Sequence, residues 1–259
     1  MSFPRWRTLA GVSLAVFGVS AASAQAADPV SVDMVQELKV GISPSKAGTK
    51  QKPKAAAIDV TIQSPTETPA TTKSVDVFFG KGIEFNNRAF PTCSLKTINA
   101  TRSLSKCPKG SIVGKGKARA IGFLSGQRVP ESLTVTAVNS PGNTLQLFVK
   151  GTNPLQIAAP ITGKLTKASG QYGYKLSVTL PQELREVLDG VYAPLVFFNV
   201  KVQSQTTVKR GGKSTKVNYV ETTSCPRGGW PFKADFVFDQ AAPFIDGPLT
   251  ATSPAAKCS

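Results

Sequence analysis

Between Phe232 and Asp239 the side chains alternate without a break: Phe232, Ala234, Phe236 and Phe238 on one side, Lys233, Asp235, Val237 and Asp239 on the other. Successive side chains of an extended chain point to opposite faces, so a period of two in bulky apolar residues marks a strand with one buried face. The same alternation runs through Phe198–Val202, where Phe198, Val200 and Val202 face away from Asn199 and Lys201. Similar β-branched and aromatic segments fall at Glu37–Ile42, Ala57–Gln63, Val75–Phe79, Ser111–Phe123, Leu133–Val138, Leu145–Val149, Gln156–Leu165, Tyr172–Leu180 and Lys216–Thr222. Turn residues separate them at Asn139-Ser-Pro-Gly-Asn143, Ser169-Gly170 and Arg210-Gly-Gly-Lys213, the last being the strongest hairpin signal. One segment reads as a helix instead. Pro181–Gly190 opens on proline, carries early glutamate and apolar Leu184, Val187 and Leu188, and ends on glycine. The pattern predicts an all-β, antiparallel, β-sandwich-like fold with one short helix near 181–189. It fits one compact unit or two packed sandwiches, with a subdivision near residue 130 in the second case.

The N-terminus predicts export. Arg5 and Arg7 precede the apolar stretch Leu9–Val19, and the small-x-small sites Ala22-Ser-Ala24 and Ala24-Gln-Ala26 follow. This is the order of a secretory signal peptide over residues 1–26, leaving 27–259 as the secreted region. The apolar stretch falls short of the roughly 20 residues a membrane anchor needs. The longest later apolar run, Val191–Val200, is shorter still and contains Pro194, so no transmembrane segment is expected in the mature chain. The expected location is extracellular or within the cell-envelope space.

Four cysteines in an exported chain point to disulfides. Cys93, Cys107, Cys225 and Cys258 allow three pairings, of which the local one, Cys93–Cys107 with Cys225–Cys258, closes two short segments. Zinc is the competing use. There is no Cys-x-x-Cys and no histidine to complete such a site.

The absence of histidine also removes Ser-His-Asp and Cys-His triads. No Gly-x-Ser-x-Gly elbow occurs. Gly212-Lys213-Ser214 ends like a phosphate loop, but Thr207 stands where its first glycine belongs, and no cofactor is expected. Glu183, Glu186 and Asp189 form the densest acidic cluster, and they read as the solvated face of the short helix. The surviving enzymatic alternative is a polysaccharide lyase that uses tyrosine as acid/base and a basic residue to neutralise a uronate, with Tyr172, Tyr174 and Lys175 as candidates by residue type. Tyr172 and Tyr174 share a strand face in that reading.

Charge supplies the functional lead. Lys and Arg number 31 against 15 Asp and Glu, a net +16 that becomes +14 once the two leader arginines are removed. From Phe85 to Pro130 nine basic residues occur without an acid. In Lys115-Gly-Lys-Ala-Arg119 alternate positions are basic, so on a strand Lys115, Lys117 and Arg119 point the same way. A face of this kind attracts an anionic cell-envelope polymer or another polyanion. Specific nucleic-acid recognition is not expected, because aromatics are not interleaved with the basic residues for base stacking. The sequence reading is a non-catalytic exported β-protein that holds anionic polymer on a basic face.

Several motifs also carry a resemblance. Ser43–Lys50 before Lys52-Pro-Lys54, Phe90-Pro-Thr-Cys-Ser94, Cys107-Pro-Lys-Gly-Ser-Ile-Val-Gly-Lys-Gly116 and Thr223-Ser-Cys-Pro-Arg-Gly-Gly-Trp-Pro-Phe232 running to Cys258 resemble a group of uncharacterised secreted β-rich proteins of Gram-positive bacteria. The likeness covers most of the mature chain. It agrees with the disulfide and β assignments and implies no activity.

Overall fold

A computed structural model describes residues 36–64, 70–124, 127–188, 190–239 and 248–259. The leader, with both cleavage sites, and Asp189 lie outside the described residues. In chain order the strands are β1 (Glu37–Ser43), β2 (Lys54–Gln63), β3 (Thr71–Gly80) and the short β4 (Ile83–Phe85), followed by helix α1 (Leu95–Thr101). A run of sequential antiparallel neighbours follows: β5 (Ile112–Leu124), β6 (Gln127–Ser140), β7 (Thr144–Gly151), β8 (Ile157–Lys167) and β9 (Tyr172–Thr179). Helix α2 (Gln182–Arg185) and the small pair β10 (Glu186–Leu188) and β11 (Val191–Tyr192) precede β12 (Leu195–Val202). The hairpin β13 (Gln205–Arg210) and β14 (Lys213–Asn218), then β15 (Val220–Thr222), β16 (Trp230–Asp239) and β17 (Leu249–Ala256), complete the order.

The main sheet has thirteen strands in the order β17-β16-β3-β9-β8-β7-β6-β5-β12-β2-β15-β4, with β1 paired to β2. Its two ends meet. The Val40 N–H in β1 donates to Ser253 Oγ in β17 at 2.9 Å. Beyond the strands, Ala47 N–H donates to the Ser259 carbonyl (2.8 Å) and Ser259 N–H to the Ser45 carbonyl (3.2 Å). The sheet therefore curls into a barrel. The fold is all-β and antiparallel, as the alternation implied; thirteen of the strands join one continuous curled sheet, while β10–β11 and β13–β14 form two small sheets of their own. Residue 130 lies inside β6, where Pro130 pairs with Ile121 of β5.

Alternation sets the two faces. In β16, Trp230, Phe232, Ala234, Phe236 and Phe238 are buried, and in β6 Glu131, Leu133, Val135 and Ala137 are buried while the intervening Ser132, Thr134 and Thr136 are exposed or half-exposed. Most apolar side chains point into the barrel and most charged ones out, with Glu131 of β6 facing in. Where β5 crosses close to β12, only glycine fits at Gly116. A Cβ there would collide with the Asn199 carbonyl and stand 2.8 Å from Val200 Cα.

One end of the barrel is filled by aromatics. Phe85 packs edge-on against Phe79 (5.2 Å between centroids) and Tyr174 (5.3 Å), and Phe90 against Tyr219 (5.1 Å). Both disulfides, Cys93–Cys107 and Cys225–Cys258, form as local pairs. The Arg210–Lys213 turn closes the β13–β14 hairpin, with Gly211 and Gly212 at φ +52° and +77°. Positive φ at both central residues suits the twist of a two-residue hairpin.

The segment read as a helix over 181–189 is helical only at Gln182–Arg185; Val187 and Leu188 belong to β10. Its hydrogen bonds go to a hairpin instead: Ala193 N–H donates to the Arg185 carbonyl (2.8 Å), and Gly190 N–H to Glu186 Oε1 (2.8 Å). A helix this short gains few bonds for its nucleation cost, so tertiary contacts decide the conformation. Helix α1 was not legible in the sequence. Ser94 Oγ caps it by accepting from Thr97 N–H (3.1 Å), but Ile98 is its single buried side chain, so no apolar periodicity marks it.

Candidate functional site

The aromatic plug fills only one end. Toward the other, the inward row of β5 is small (Ala118, Ala120 and Gly122), and the facing positions are aliphatic, such as Ile58, Val60 and Ile62 of β2, Leu147 and Val149 of β7 and Leu176 and Val178 of β9. Small residues opposite aliphatic ones leave space. The result is a largely apolar cavity of about 280 Å³ lined by β2, β3, β5 to β9, β12 and β16. Engineered apolar cavities of roughly half that size stay dry and take up small hydrocarbons.

The α2–β10–β11 segment lies over the cavity's open end. Leu184, Val187, Leu188 and Val191 line the cavity from this segment, and Leu155 lines it from the β7–β8 connection. Leu188 is 57% exposed and Leu155 42%, so an apolar rim reaches solvent. Arg185 ties the segment down. Its guanidinium pairs with Asp239 at the end of β16, and its Nε donates to the Leu180 carbonyl (2.9 Å). Glu186 accepts from Gln182 Nε2 (2.9 Å) and from Gly190 N–H, bonds that hold its carboxyl below the usual range.

Two polar side chains interrupt the apolar lining near this end. Glu131 occupies an inward position of β6 between Val129 and Leu133 and is 4% exposed. Its Oε2 accepts from Leu155 N–H at 3.0 Å, while Oε1 is buried with no hydrogen-bond partner among the described residues. Thr72 of β3 is 3% exposed, and its Oγ1 is likewise buried without a partner. Thr72 faces inward because of a β-bulge: Ser74 pairs with Val237 but Thr72 with Phe238, so Lys73 is the extra residue and the phase of β3 shifts by one. An orphaned buried polar atom costs about 1–3 kcal/mol, and two of them line one cavity.

The residues singled out from sequence lie elsewhere. Lys115, Lys117 and Arg119 are all exposed on the outer face of β5, while Gly114, Gly116, Ala118 and Ala120 turn inward. Cross-strand register extends this face beyond the linear motif. Lys115 stands opposite Lys201 of β12, and the row through Lys117 runs by way of Asn199 and Thr61 to Lys39 on one side and by way of Thr134 to Lys150 on the other. Lys117 Nζ sits 5.8 Å from the centre of the Phe197 ring. These additional lysines come from three separate strands, β12, β1 and β7, and could be found only through pairing.

Tyr172, Tyr174 and Lys175 do not converge. A register shift between Phe79 and Gly80 separates the two tyrosines that alternation placed on one face. Tyr174 packs on Phe85 and donates to Glu84 Oε2 (2.7 Å), whereas Tyr172 lies against Phe78 (5.4 Å). Lys175 pairs with Asp76 (2.8 Å). Burial raises the Tyr174 phenol, and its hydrogen bond to Glu84 acts in the same direction, against the neighbouring Lys167 ammonium. Among the described residues no group of three His, Cys, Asp or Glu side chains could hold a metal ion.

The structure thus defines an all-β barrel with an apolar interior cavity and a basic outer face. No protein-family model matches the chain, and it matches neither a curated protein nor a solved structure.

Proposed function

We propose that this protein is a non-catalytic binding barrel that encloses an apolar small molecule, acting outside the cytoplasm after export. The observation that carries the reading is the cavity: about 280 Å³, lined mostly by aliphatic side chains and rimmed by exposed leucines. Ligand sites are typically concave, mostly apolar and furnished with a few polar groups, and run from roughly 300 Å³ upward. The two disulfides suit an oxidising compartment. Among the described residues no helix is long and apolar enough to cross a membrane.

The test uses diphenylhexatriene, a hydrocarbon that fluoresces in apolar sites and has no hydrogen-bonding group. Wild-type protein should bind it saturably. The double variant Ala118→Leu/Ala120→Leu, which fills the cavity from β5, should bind at least about tenfold more weakly while retaining its β-sheet circular dichroism. Absence of saturable binding, or equal binding by the filled variant, refutes the reading.

The outer face supports a second role for the same exported protein, contact with an anionic polymer. Its specific observation is that Lys115 and Lys201 are direct cross-strand neighbours. Like charges so placed are destabilising, and a polyanion lying across them would relieve the repulsion.

A further inference from the structure

Glu131 and Thr72 say what the head of the enclosed molecule must be. Both line the cavity, both are more than nine-tenths buried, and each presents an oxygen with no hydrogen-bond partner among the described residues. They sit at the same end of the barrel. Glu131 belongs to the first half of β6 and contacts Leu155 at the rim, while Thr72 opens β3 beside Phe238, one residue from the Asp239 that anchors the covering segment. The other polar side chains of the lining have partners of their own, Asn87 donating to Asn143 Oδ1, Thr144 to the Pro141 carbonyl and Tyr219 to Asn139 Oδ1, so the partnerless oxygens are the two near the mouth.

The donors and acceptors decide the chemistry. A carboxylate oxygen accepts hydrogen bonds, and a threonine hydroxyl can both accept and donate. The backbone amide of Leu155 satisfies only one oxygen of Glu131, so Oε1 calls for a donor. A ligand carboxylate would instead bring like charges together in an apolar surround, where their repulsion is poorly screened. Among the described residues no Lys or Arg side chain belongs to the lining to neutralise an anionic head. We infer that the cavity takes a single-headed amphiphile whose head donates a hydrogen bond, an alcohol or an amine, with that head on Glu131 and Thr72 and the hydrocarbon body in the barrel, and that it discriminates against fatty acids. This inference rests on the binding-cavity reading and goes beyond it by naming the ligand class.

Displacement of diphenylhexatriene by four probes of equal chain length tests it: dodecanol, dodecylamine, dodecanoate and dodecane. Wild-type protein should bind dodecanol and dodecylamine about tenfold more tightly than dodecane, the worth of one hydrogen bond to a charged group, and should bind dodecanoate no better than dodecane. Glu131→Leu should bring dodecanol, dodecylamine and dodecane to one affinity, each referred to the diphenylhexatriene affinity of that variant itself. Glu131→Gln, which keeps an acceptor oxygen but not the charge, should retain the preference for dodecanol over dodecane and lose most of the preference for dodecylamine. If diphenylhexatriene binds but the four probes displace it alike, or if Glu131→Leu keeps the alcohol preference, the head-group inference fails and the cavity reading stands. If dodecanoate binds best, the inference fails in the same way. If diphenylhexatriene does not bind wild-type protein at all, both fall together.

Discussion

Gly151 of β7 leaves the space that the Glu131 carboxylate occupies. A Cβ at Gly151 would collide with Glu131 Oε1 and stand 2.7 Å from a Leu133 methyl. The buried acid is therefore seated by its neighbour on the next strand. Gly151→Ala should cost about 1–3 kcal/mol as local overpacking, measured as a lower urea midpoint at unchanged m-value. Combined with Glu131→Ala, part of that cost should disappear, giving a coupling energy above about 0.5 kcal/mol in a double-mutant cycle. Strict additivity would mean that the glycine serves some other contact.

The two disulfides differ in the length of chain they close, 14 residues for Cys93–Cys107 and 33 for Cys225–Cys258. Loop-closure entropy predicts stabilisation of roughly 3 kcal/mol for the shorter and roughly 4 for the longer. Replacing each pair by serines and measuring unfolding free energy should show the Cys225–Cys258 deletion as the more damaging. The reverse order would show that native contacts around α1, not chain entropy, dominate.

The β16 strand was readable residue by residue because Phe232, Ala234, Phe236 and Phe238 all face one core, and local alternation is sufficient to say so. Closure of the barrel was not readable in this way. It depends on β1 meeting β17, and β17 has only Ala251 and Ser253 buried, so its alternation is too weak to announce a strand. The basic motif of β5 was legible because its period is that of a strand, whereas Lys39, Lys150 and Lys201 join it only through cross-strand register. Glu131 carried a usable signal. It sits in phase with Val129, Leu133 and Val135, a carboxylate in an apolar row, yet in linear sequence it looks like the end of an acid-free stretch. Thr72 carried none, since the bulge at Lys73 that turns it inward exists only in the pairing with β16.

Tyr219 makes stability fall at alkaline pH. The ring is 2% exposed and its hydroxyl donates to Asn139 Oδ1 at 3.2 Å. Burial pushes the phenol above its ordinary value of about 10. Below that pH the phenol is protonated in both states and its contribution is complete. Above it the unfolded chain releases the proton first, so stability drops by up to about 1.4 kcal/mol per pH unit. Tyr219→Phe should start about 1 kcal/mol less stable, from the lost hydrogen bond, and then decline less steeply between pH 10 and 12. Urea midpoints across that range compare the slopes, and equal slopes would assign the titration to other groups.

The basic face can be separated from net charge by experiment. Lys115, Lys117 and Arg119 are exposed on β5 and share that face with Lys39, Lys150 and Lys201, whereas Lys46, Lys50 and Lys52 lie exposed on the β1–β2 connection. Changing Lys115, Lys117 and Arg119 to Gln should leave stability unchanged or raise it by a few tenths of a kcal/mol, because the repulsion between Lys115 and Lys201 is removed. Binding to dextran sulfate should weaken, and its dependence on salt should become shallower, since fewer counterions are released. The matched triple change at Lys46, Lys50 and Lys52 removes the same charge from a different place. If it weakens binding as much, the polymer senses only net charge and there is no face to speak of. If neither triple variant binds less than wild type, the row is solvated surface. A loss confined to the β5 variant is the expected result, because only there does strand geometry hold alternate charges about 6–7 Å apart in a line that a flexible polyanion can follow.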